Sequence, residues 1–128
     1  MTGPPVFFLP DNPNLKPREE VRIEQLAALP TPDGRRVRVQ IQVTPFREQP
    51  NFEIALYDSA RRRVGGTTVI AAMNFRMEFI VHLRGVAQPH GDYLLRADLY
   101  YDDPSAPQDR AETAVHIPAP DGDPGSGG

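Results

Sequence analysis

The sequence of 128 residues contains no cysteine and no tryptophan. Without cysteine the chain has no disulfide framework, no thiolate nucleophile and no thiolate ligand for zinc. It also lacks the run of roughly 20 apolar residues that a membrane-spanning helix needs, so no such helix is predicted. The amino terminus lacks the basic start and long apolar stretch of a secretory signal, which makes the cytoplasm the expected location.

The charge balance argues against a nucleic acid partner. The formal net charge is -3, which gives no general attraction to nucleic acid or to anionic membranes. Lys16 is the single lysine, so arginine supplies almost all of the positive charge. Arginine suits bidentate contacts with anions or carboxylates. The arginines are scattered along the chain, however, and are interpreted as ordinary solvated strand surfaces.

Alternation of side chains is the strongest pattern in the chain, and it occurs in four segments. The positions on the more apolar side are Val37, Val39, Ile41 and Val43; Phe75, Met77, Phe79, Val81 and Leu83; Tyr93, Leu95, Ala97, Leu99 and Tyr101; and Ala111, Thr113, Val115 and Ile117. A period of two directs one set of side chains to a core and the other to water. The pattern therefore predicts half-buried strands.

Turn signals extend this pattern to seven strands. The predicted strands are residues 21–29, 36–44, 52–56, 64–73, 75–83, 93–101 and 111–117. Residues 21–29 are also rich in helix formers, so a helix is the alternative there. The Pro32-Asp33-Gly34 sequence that follows favours a strand, because it has the chemistry of a hairpin turn. The Gly65-Gly66 pair predicts a β-bulge, since glycine tolerates the required dihedral angles.

These elements favour an all-β fold, an antiparallel seven-stranded immunoglobulin-like β-sandwich. Parallel pairing would need crossover segments of about a dozen residues, and the sequence has none. A small β-barrel is the alternative. The sandwich domain is assigned to residues 21–117, after a proline-rich arm of residues 1–20 and before residues 118–128, which are expected to be a disordered tail.

One short segment resembles a known class of domain. The sequence Gly91-Asp92-Tyr93-Leu94-Leu95-Arg96-Ala97, which follows a proline-containing loop, is similar to the start of the penultimate strand in immunoglobulin-like and fibronectin-type accessory domains. In those domains a tyrosine at the position of Tyr93 closes a corner by a hydrogen bond back to the backbone. The cysteine pair and the buried tryptophan of antibody domains are absent. The resemblance implies a sandwich fold and no particular activity.

Two sets of residues are considered as metal ligands. The first set is the three histidines, His82, His90 and His116. Two or three of them would have to converge with a carboxylate, and surface histidines without a special role are the preferred interpretation. The second set, for calcium, is Asp98, Asp102, Asp103 and Asp109. Prolines interrupt this stretch, so a solvated turn is preferred. No metal and no other cofactor is predicted.

No catalytic motif is found. No serine lies in a nucleophile elbow, and Gly65-Gly66 does not begin a phosphate-binding loop. Arg61-Arg62-Arg63 is interpreted as a solubilising hairpin tip, because a nucleic acid surface would also need exposed aromatic residues. The aromatic residues expected to face outward are Tyr57 and Tyr100. Core packing of Tyr93 and Tyr101 is preferred over a sugar-binding face made of the four tyrosines. The sequence therefore predicts no enzyme.

The arm contains one apolar patch, formed by Val6, Phe7, Phe8 and Leu9. The two phenylalanines would leave much apolar surface in water if this patch were free. The patch can fold back on its own sandwich as an edge strand, add to the sheet of a second chain by β-augmentation, or remain disordered. These four residues are the predicted contact with a protein partner or with another copy of the chain.

Two functions follow from these observations. The first is a non-catalytic protein-interaction or structural accessory module. The alternative is a module that binds carbohydrate or calcium at the loops between strands. Neither depends on nucleic acid or on a membrane span.

The domain assignment predicts the outcome of limited proteolysis. Residues 21–117 are expected to persist as one fragment, because only that stretch has periodic apolar residues that build a core. Mass spectrometry of the products measures the limits. Early cleavage between Arg36 and Leu99 would contradict the assignment.

Overall fold

The structure is a computed structural model, and it describes residues 15–119. A short 3-10 helix (Arg18–Glu20) precedes seven strands. The strands are β1 (Ile23–Pro30), β2 (Arg36–Val43), β3 (Asn51–Tyr57), β4 (Arg63–Val69), β5 (Arg76–His82), β6 (Gly91–Tyr100) and β7 (Asp109–Ile117). Within residues 15–119, no helix has the length and apolar character needed to cross a membrane.

The strands form two antiparallel sheets. One sheet has the order β1-β2-β5 and the other has the order β4-β3-β6-β7. Neither sheet closes into a barrel over the described part of the chain. The predicted antiparallel seven-stranded β-sandwich is therefore confirmed, and the barrel alternative is wrong.

The core lies between the two sheets. The inward residues of β2 are all buried, and they are Val37, Val39, Ile41 and Val43. The fully buried large side chains of the opposite sheet are Phe52, Ile54, Leu56, Leu95, Leu99 and Ile117. In β5 only Val81 is buried, whereas Met77 and Phe79 are half-buried. We attribute this difference to the position of β5 at the edge of the three-stranded sheet, where fewer neighbours cover it.

The segment for which both a helix and a strand were considered, residues 21–29, forms the strand β1. It pairs with β2 from Ile23 opposite Val43 to Pro30 opposite Val37. Gly34 closes the connecting turn with φ of 70°, and its N–H donates to the Thr31 carbonyl at 2.9 Å. Hydrogen bonds from the Thr31 hydroxyl and the Arg35 N–H lower the pKa of Asp33 to about 2. The hairpin turn that the sequence predicts at Pro32-Asp33-Gly34 is thus present.

Glycine is required in the Gly65-Gly66 pair of β4 for a physical reason other than the predicted one. The register shifts here, because Leu56 lies opposite Gly65 and Tyr57 lies opposite Arg63, so the bulge is confirmed. Neither glycine has a positive φ. Instead, a Cβ atom on Gly65 would lie 2.5 Å from the His82 carbonyl oxygen. Glycine is needed because β4 and the end of β5 approach closely.

Leu95 and Arg96 provide a matched test of strand facing. Leu95 is fully buried, so Leu95→Ala is expected to lower the free energy of unfolding by about 2–5 kcal/mol. Arg96 faces outward and pairs with Glu112 at 2.9 Å, so Arg96→Ala is expected to cost less than about 1 kcal/mol. Denaturant unfolding measures both values. Equal losses in the two variants would contradict the assignment of faces.

Candidate interaction surface

Three loops and the incoming chain meet at one end of the sandwich, here called the loop end. The loops are residues 44–50, 70–75 and 101–108, and the N-terminal segment is residues 15–22. The N–H of Lys16 donates to the Pro45 carbonyl at 2.8 Å, and the N–H of Arg47 donates to the Lys16 carbonyl at 3.0 Å. Leu15 is buried. Residues that the sequence assigns to the arm therefore already contact the sandwich.

Arg18 connects the N-terminal segment to two of these loops. Its Nε donates to Glu48 Oε1 at 3.0 Å, and a second guanidinium nitrogen pairs with Glu48 Oε2. Its Nη1 donates to Asp102 Oδ2 at 2.8 Å. The guanidinium also lies 4.6 Å from the ring centroid of Tyr101. The hydrogen bonds with Glu48 raise the pKa of Arg18 and lower the pKa of Glu48, so both groups are held in their charged forms.

Two neutral side chains complete this contact. The hydroxyl of Tyr101 donates to the Glu48 carbonyl at 3.0 Å. Burial raises the pKa of Tyr101 to about 12, so the hydroxyl keeps its proton. Gln108 Nε2 donates to the carbonyls of Arg18 at 2.5 Å and Val21 at 2.7 Å. Loop 101–108 thus bonds to the carbonyl of the first residue of the 3-10 helix and to the carbonyl of the residue that follows the helix.

Loop 44–50 lies between the N-terminal segment and loop 70–75. The ring of Phe46 meets the ring of Phe75 edge to face, with centroids 4.8 Å apart. The backbone of Phe46 forms a parallel bridge with Lys16 on its other side. The N–H of Val43 donates to the Phe75 carbonyl at 2.9 Å. The chain that enters the sandwich and loop 70–75 therefore lie on either side of one aromatic residue.

Loop 70–75 is anchored by two backbone hydrogen bonds and by one buried side chain. The N–H of Ala71 donates to the side-chain oxygen of Asn51 at 2.8 Å. The N–H of Ala72 donates to the Pro50 carbonyl at 2.8 Å, and the side chain of Ala72 is buried. Ala71 has φ of 54°, in the left-handed region that residues other than glycine rarely adopt.

This loop projects two large apolar side chains into solvent. Ile70 is 67% exposed and Met73 is 80% exposed. Both residues fall within the predicted fourth strand, which runs to residue 73, whereas β4 ends at Val69. A signal was present: the run Val69-Ile70-Ala71-Ala72-Met73 is entirely apolar and has lost the alternation of a half-buried strand.

The acidic residues considered as calcium ligands lie near the same end but do not converge. Asp98 pairs with Arg110 at 2.7 Å, and Asp102 pairs with Arg18. Asp103 accepts hydrogen bonds from the backbone and hydroxyl of Ser105, which lower its pKa. Asp109 accepts from the N–H of Ile23 at 2.8 Å. Within residues 15–119, no cluster of three or more potential metal ligands is found.

The three histidines are separated by the topology. His82 ends β5 in one sheet, His116 lies on β7 in the other, and His90 lies in the loop before β6. The strands that carry His82 and His116 do not pair with each other. His116 Nδ1 lies 2.7 Å from Asp92 Oδ1 in an exposed contact.

The arginine run lies at the opposite end of the sandwich, in the turn between β3 and β4. Arg62 pairs with Asp58, Arg63 pairs with Glu53, and Arg61 has φ of 67°. A shallow groove of about 430 Å³ lies beside the turn. Its lining includes Tyr57, Asp58, Arg61, Asp92, Leu94 and Arg96.

The four tyrosines do not lie on one surface: Tyr57 and Tyr93 line the groove beside the arginine turn, whereas Tyr101 contacts Arg18 at the loop end. The Arg96 guanidinium lies over the Tyr57 ring, 5.1 Å from its centroid, so that ring face is already occupied. The Tyr93 hydroxyl donates to the Pro89 carbonyl at 2.6 Å. The expectation that Tyr100 is exposed is wrong, because only 7% of it is accessible. Tyr100 lies opposite Asn51, at the end of the sheet where the loops gather. Alternation along a strand does not predict whether residues from other segments will cover a side chain there.

The predicted partner-binding residues Val6, Phe7, Phe8 and Leu9 lie outside the described residues. Their role stays a prediction. The expected tail is likewise described only as far as Ala119.

Comparison with known proteins shows a fold relationship. No protein-family model and no curated protein sequence matches the chain. A glycosyl hydrolase family 2 member from Bacteroides cellulosilyticus DSM 14838 superposes with a TM-score of 0.54 at 14% identity, over 76% of this chain and 15% of that one. A β-glucuronidase from Ruminococcus gnavus gives a TM-score of 0.51 at 16% identity, over 77% of this chain and 16% of that one. The chain thus resembles one small part of these enzymes, as a β-sandwich.

The Arg18–Glu48 pair predicts a specific response to pH. Because the pKa of Glu48 is lowered in the folded protein, the pair stabilises the fold above the usual glutamate value of 4.5 and loses its effect as pH falls through the lowered value. Glu48→Gln is therefore expected to lower Tm at pH 7, with a difference from wild type that shrinks below pH 4.5.

Glu20→Gln is the control for this pH experiment, since it removes the same charge from an exposed glutamate on the 3-10 helix that carries Arg18. It is expected to change Tm little at any pH. A Glu48→Gln difference that is constant with pH would contradict the assignment of the effect to ionised Glu48.

Proposed function

We propose that this protein is a non-catalytic accessory module, an immunoglobulin-like β-sandwich that docks onto another protein domain through its loop end. The observation that carries the proposal is the exposure of Ile70 and Met73 on a loop held by Asn51 and Pro50. Contiguous exposed apolar surface marks interaction sites, and two large apolar side chains on one short loop can supply such surface.

The anchoring of this loop favours binding. An interface pays for every loop and side chain that it orders, so a preformed loop leaves more of the contact energy as affinity. The bonds to Ala71 and Ala72 hold loop 70–75 before any partner arrives. Methionine adds a flexible, polarisable side chain that adapts to the partner surface.

Two observations support the immunoglobulin-like assignment. The sheet orders β1-β2-β5 and β4-β3-β6-β7 place a three-stranded sheet against a four-stranded one, as in immunoglobulin-like sandwiches. The bond from the Tyr93 hydroxyl to the carbonyl four residues earlier has the geometry of the tyrosine corner. The resemblance seen in the sequence around Tyr93 rests on the same residue.

The charged groups of the loop end support a structural role over a catalytic one. Arg18, Glu48 and Asp102 are engaged with one another, and Asp98 is engaged with Arg110. A catalytic acid or base needs a site where substrate can reach it and a pKa suited to proton transfer. The superposition on about 15% of much larger glycosidases also supports an accessory part.

Site-specific photocrosslinking tests the proposal. A photoreactive phenylalanine analogue is introduced at position 73 in the cells that produce the protein, and adducts are identified by mass spectrometry. The expected result is one defined adduct with another protein. The matched control is position 59, an exposed serine in the turn at the opposite end of the sandwich, which is expected to give none.

Affinity measurements on the purified partner complete the test. Ile70→Ser and Met73→Ser are each expected to weaken its binding about tenfold, as for a buried interface side chain. No adduct at position 73, or equal adducts at positions 73 and 59, would overturn the proposal. Binding of a glycan array that survives both substitutions would favour the carbohydrate alternative.

A further inference from the structure

The strand β5 has one free edge. It pairs with β2 and, in the part of the chain that the structure describes, with no strand on its other side. Just beyond its end, the N–H of Arg84 donates to the Val64 carbonyl of β4 at 2.7 Å, so the two sheets meet there. At the opposite edge of the same sheet, the N–H of Ile23 donates to Asp109 of β7 at 2.8 Å. The open stretch of β5 is therefore residues 76–80.

The hydrogen-bond pattern shows which backbone groups point out from this edge. The Phe75 carbonyl accepts from the Val43 N–H at 2.9 Å, and the Leu83 N–H donates to the Arg35 carbonyl at 3.0 Å. In an antiparallel pair, residues that bond to the partner strand alternate with residues that point away from it. The register between these two bonds has no shift, so the odd-numbered residues bond to β2. The N–H and carbonyl groups of residues 76, 78 and 80 therefore point to the free edge.

This edge lacks two features that commonly prevent strands from pairing. The strand contains no proline, and its pairing with β2 has no bulge. The side chains of Met77 and Phe79 face the core but are only half-buried, as is Phe75 just before the strand. A further strand beside β5 would remove more of this apolar surface from water.

The charges on the free edge are self-complementary. Arg76 and Glu78 are both exposed, and they lie on either side of Met77. When a second copy of β5 pairs antiparallel about Met77, Arg76 of each copy lies opposite Glu78 of the other. Centring the pairing on Arg76 or on Glu78 instead would place two like charges opposite each other, which is destabilising. The charges thus select one register.

Both charged groups have capacity for this contact. Arg76 forms no ion pair with any residue of the range 15–119. Glu78 pairs with Arg38 through Oε2 at 3.1 Å, which leaves Oε1 for a second guanidinium. On the core side, the same register places Phe75 of one copy opposite Phe79 of the other, and aromatic pairs of this kind favour strand pairing.

We propose that two copies of this chain form a two-fold symmetric dimer through β5, which joins their three-stranded sheets into one continuous sheet. A two-fold axis at Met77 makes every contact occur twice, as in other symmetric dimers. The pairing is short, so a weak dimer with Kd between about 1 μM and about 1 mM is expected. The dimer goes beyond the proposed function, and neither depends on the other.

Charge reversal tests the dimer and its register. Sedimentation velocity from about 10 μM to about 1 mM measures Kd. Arg76→Glu and Glu78→Arg are each expected to raise Kd about tenfold or more, because two opposite-charge pairs become like-charge pairs. The double variant Arg76→Glu/Glu78→Arg restores the opposite charges and is expected to return Kd to near the wild-type value. Circular dichroism checks that each variant is folded.

Glu24→Arg is the matched control, because it makes the same charge change on β1, at the other edge of the same sheet. It is expected to leave Kd unchanged. A protein that stays monomeric at about 1 mM would overturn the proposal. So would a double variant that dimerises no better than the single variants, or a dimer that Glu24→Arg weakens equally.

The absence of cysteine allows a second test of the register. Met77→Cys introduces a single cysteine, and the two Cα atoms at position 77 of the paired strands would lie about 4.5 Å apart, within the range of a disulfide. Oxidised glutathione is therefore expected to produce a covalent dimer on a non-reducing gel. Ile80→Cys is the control on the same edge, where the side chain is 40% exposed.

In the proposed register, residue 80 lies opposite residue 74, so the two copies of position 80 are about 20 Å apart. Ile80→Cys is expected to give no covalent dimer. Equal crosslinking at positions 77 and 80, or none at 77, would overturn the proposal. Mass spectrometry of the adduct at position 73 separates the two ideas: an adduct of two copies would reflect this dimer, and one with a different protein would support the proposed function.

Discussion

The arrangement of the loop end depends on the guanidinium of Arg18. It joins residues that are 30 and 84 positions away in the sequence, Glu48 and Asp102, and it stacks on Tyr101. Exposed ion pairs contribute little to stability, because solvent screens them and long side chains lose entropy. Stability comes from the buried faces of the sheets. Arg18 supplies position: its planar fork fixes where the chain enters relative to the loops.

Loop 70–75 shows how local strain is held by its surroundings. The left-handed conformation of Ala71 costs about 1–2 kcal/mol relative to glycine, and two hydrogen bonds and the burial of Ala72 offset it. A glycine would remove the strain and would also widen the range of loop conformations. The alanine narrows that range and so favours the backbone conformation in which Ile70 and Met73 are exposed.

Much of the sandwich could be predicted from periodicity alone. The facing of β2 and β6, the β1–β2 turn at Gly34 and the bulge in β4 are all local patterns, and a local pattern is visible in a sequence. The sequence correctly predicts that position 65 requires glycine, but the predicted reason, an unusual dihedral angle, is wrong. The cause is the His82 carbonyl, which belongs to the other sheet and leaves no trace in the residues next to Gly65.

The residues that sequence analysis missed share a dependence on distant partners. Arg18 and Asn51 are unremarkable in their own segments, and each acquires its role from a loop far along the chain. Tyr100 alternates outward and is nevertheless buried. The acidic residues around Asp102 were grouped by sequence, but each carboxylate turns to a different partner. Proximity in sequence predicts shared surroundings only where the chain between the residues is regular.

The N-terminal segment and loop 70–75 both contact Phe46 at the loop end, the first through the backbone of Lys16 and the second through the ring of Phe75. Leu15 is buried, and both the N–H and the carbonyl of Lys16 form hydrogen bonds with loop 44–50. Arg18 anchors the 3-10 helix that follows. Breaking these contacts would expose apolar surface and separate charges together. The N-terminal segment is therefore fixed at Leu15 by packing and at Arg18 by ion pairing, and the position of the loop end depends on both.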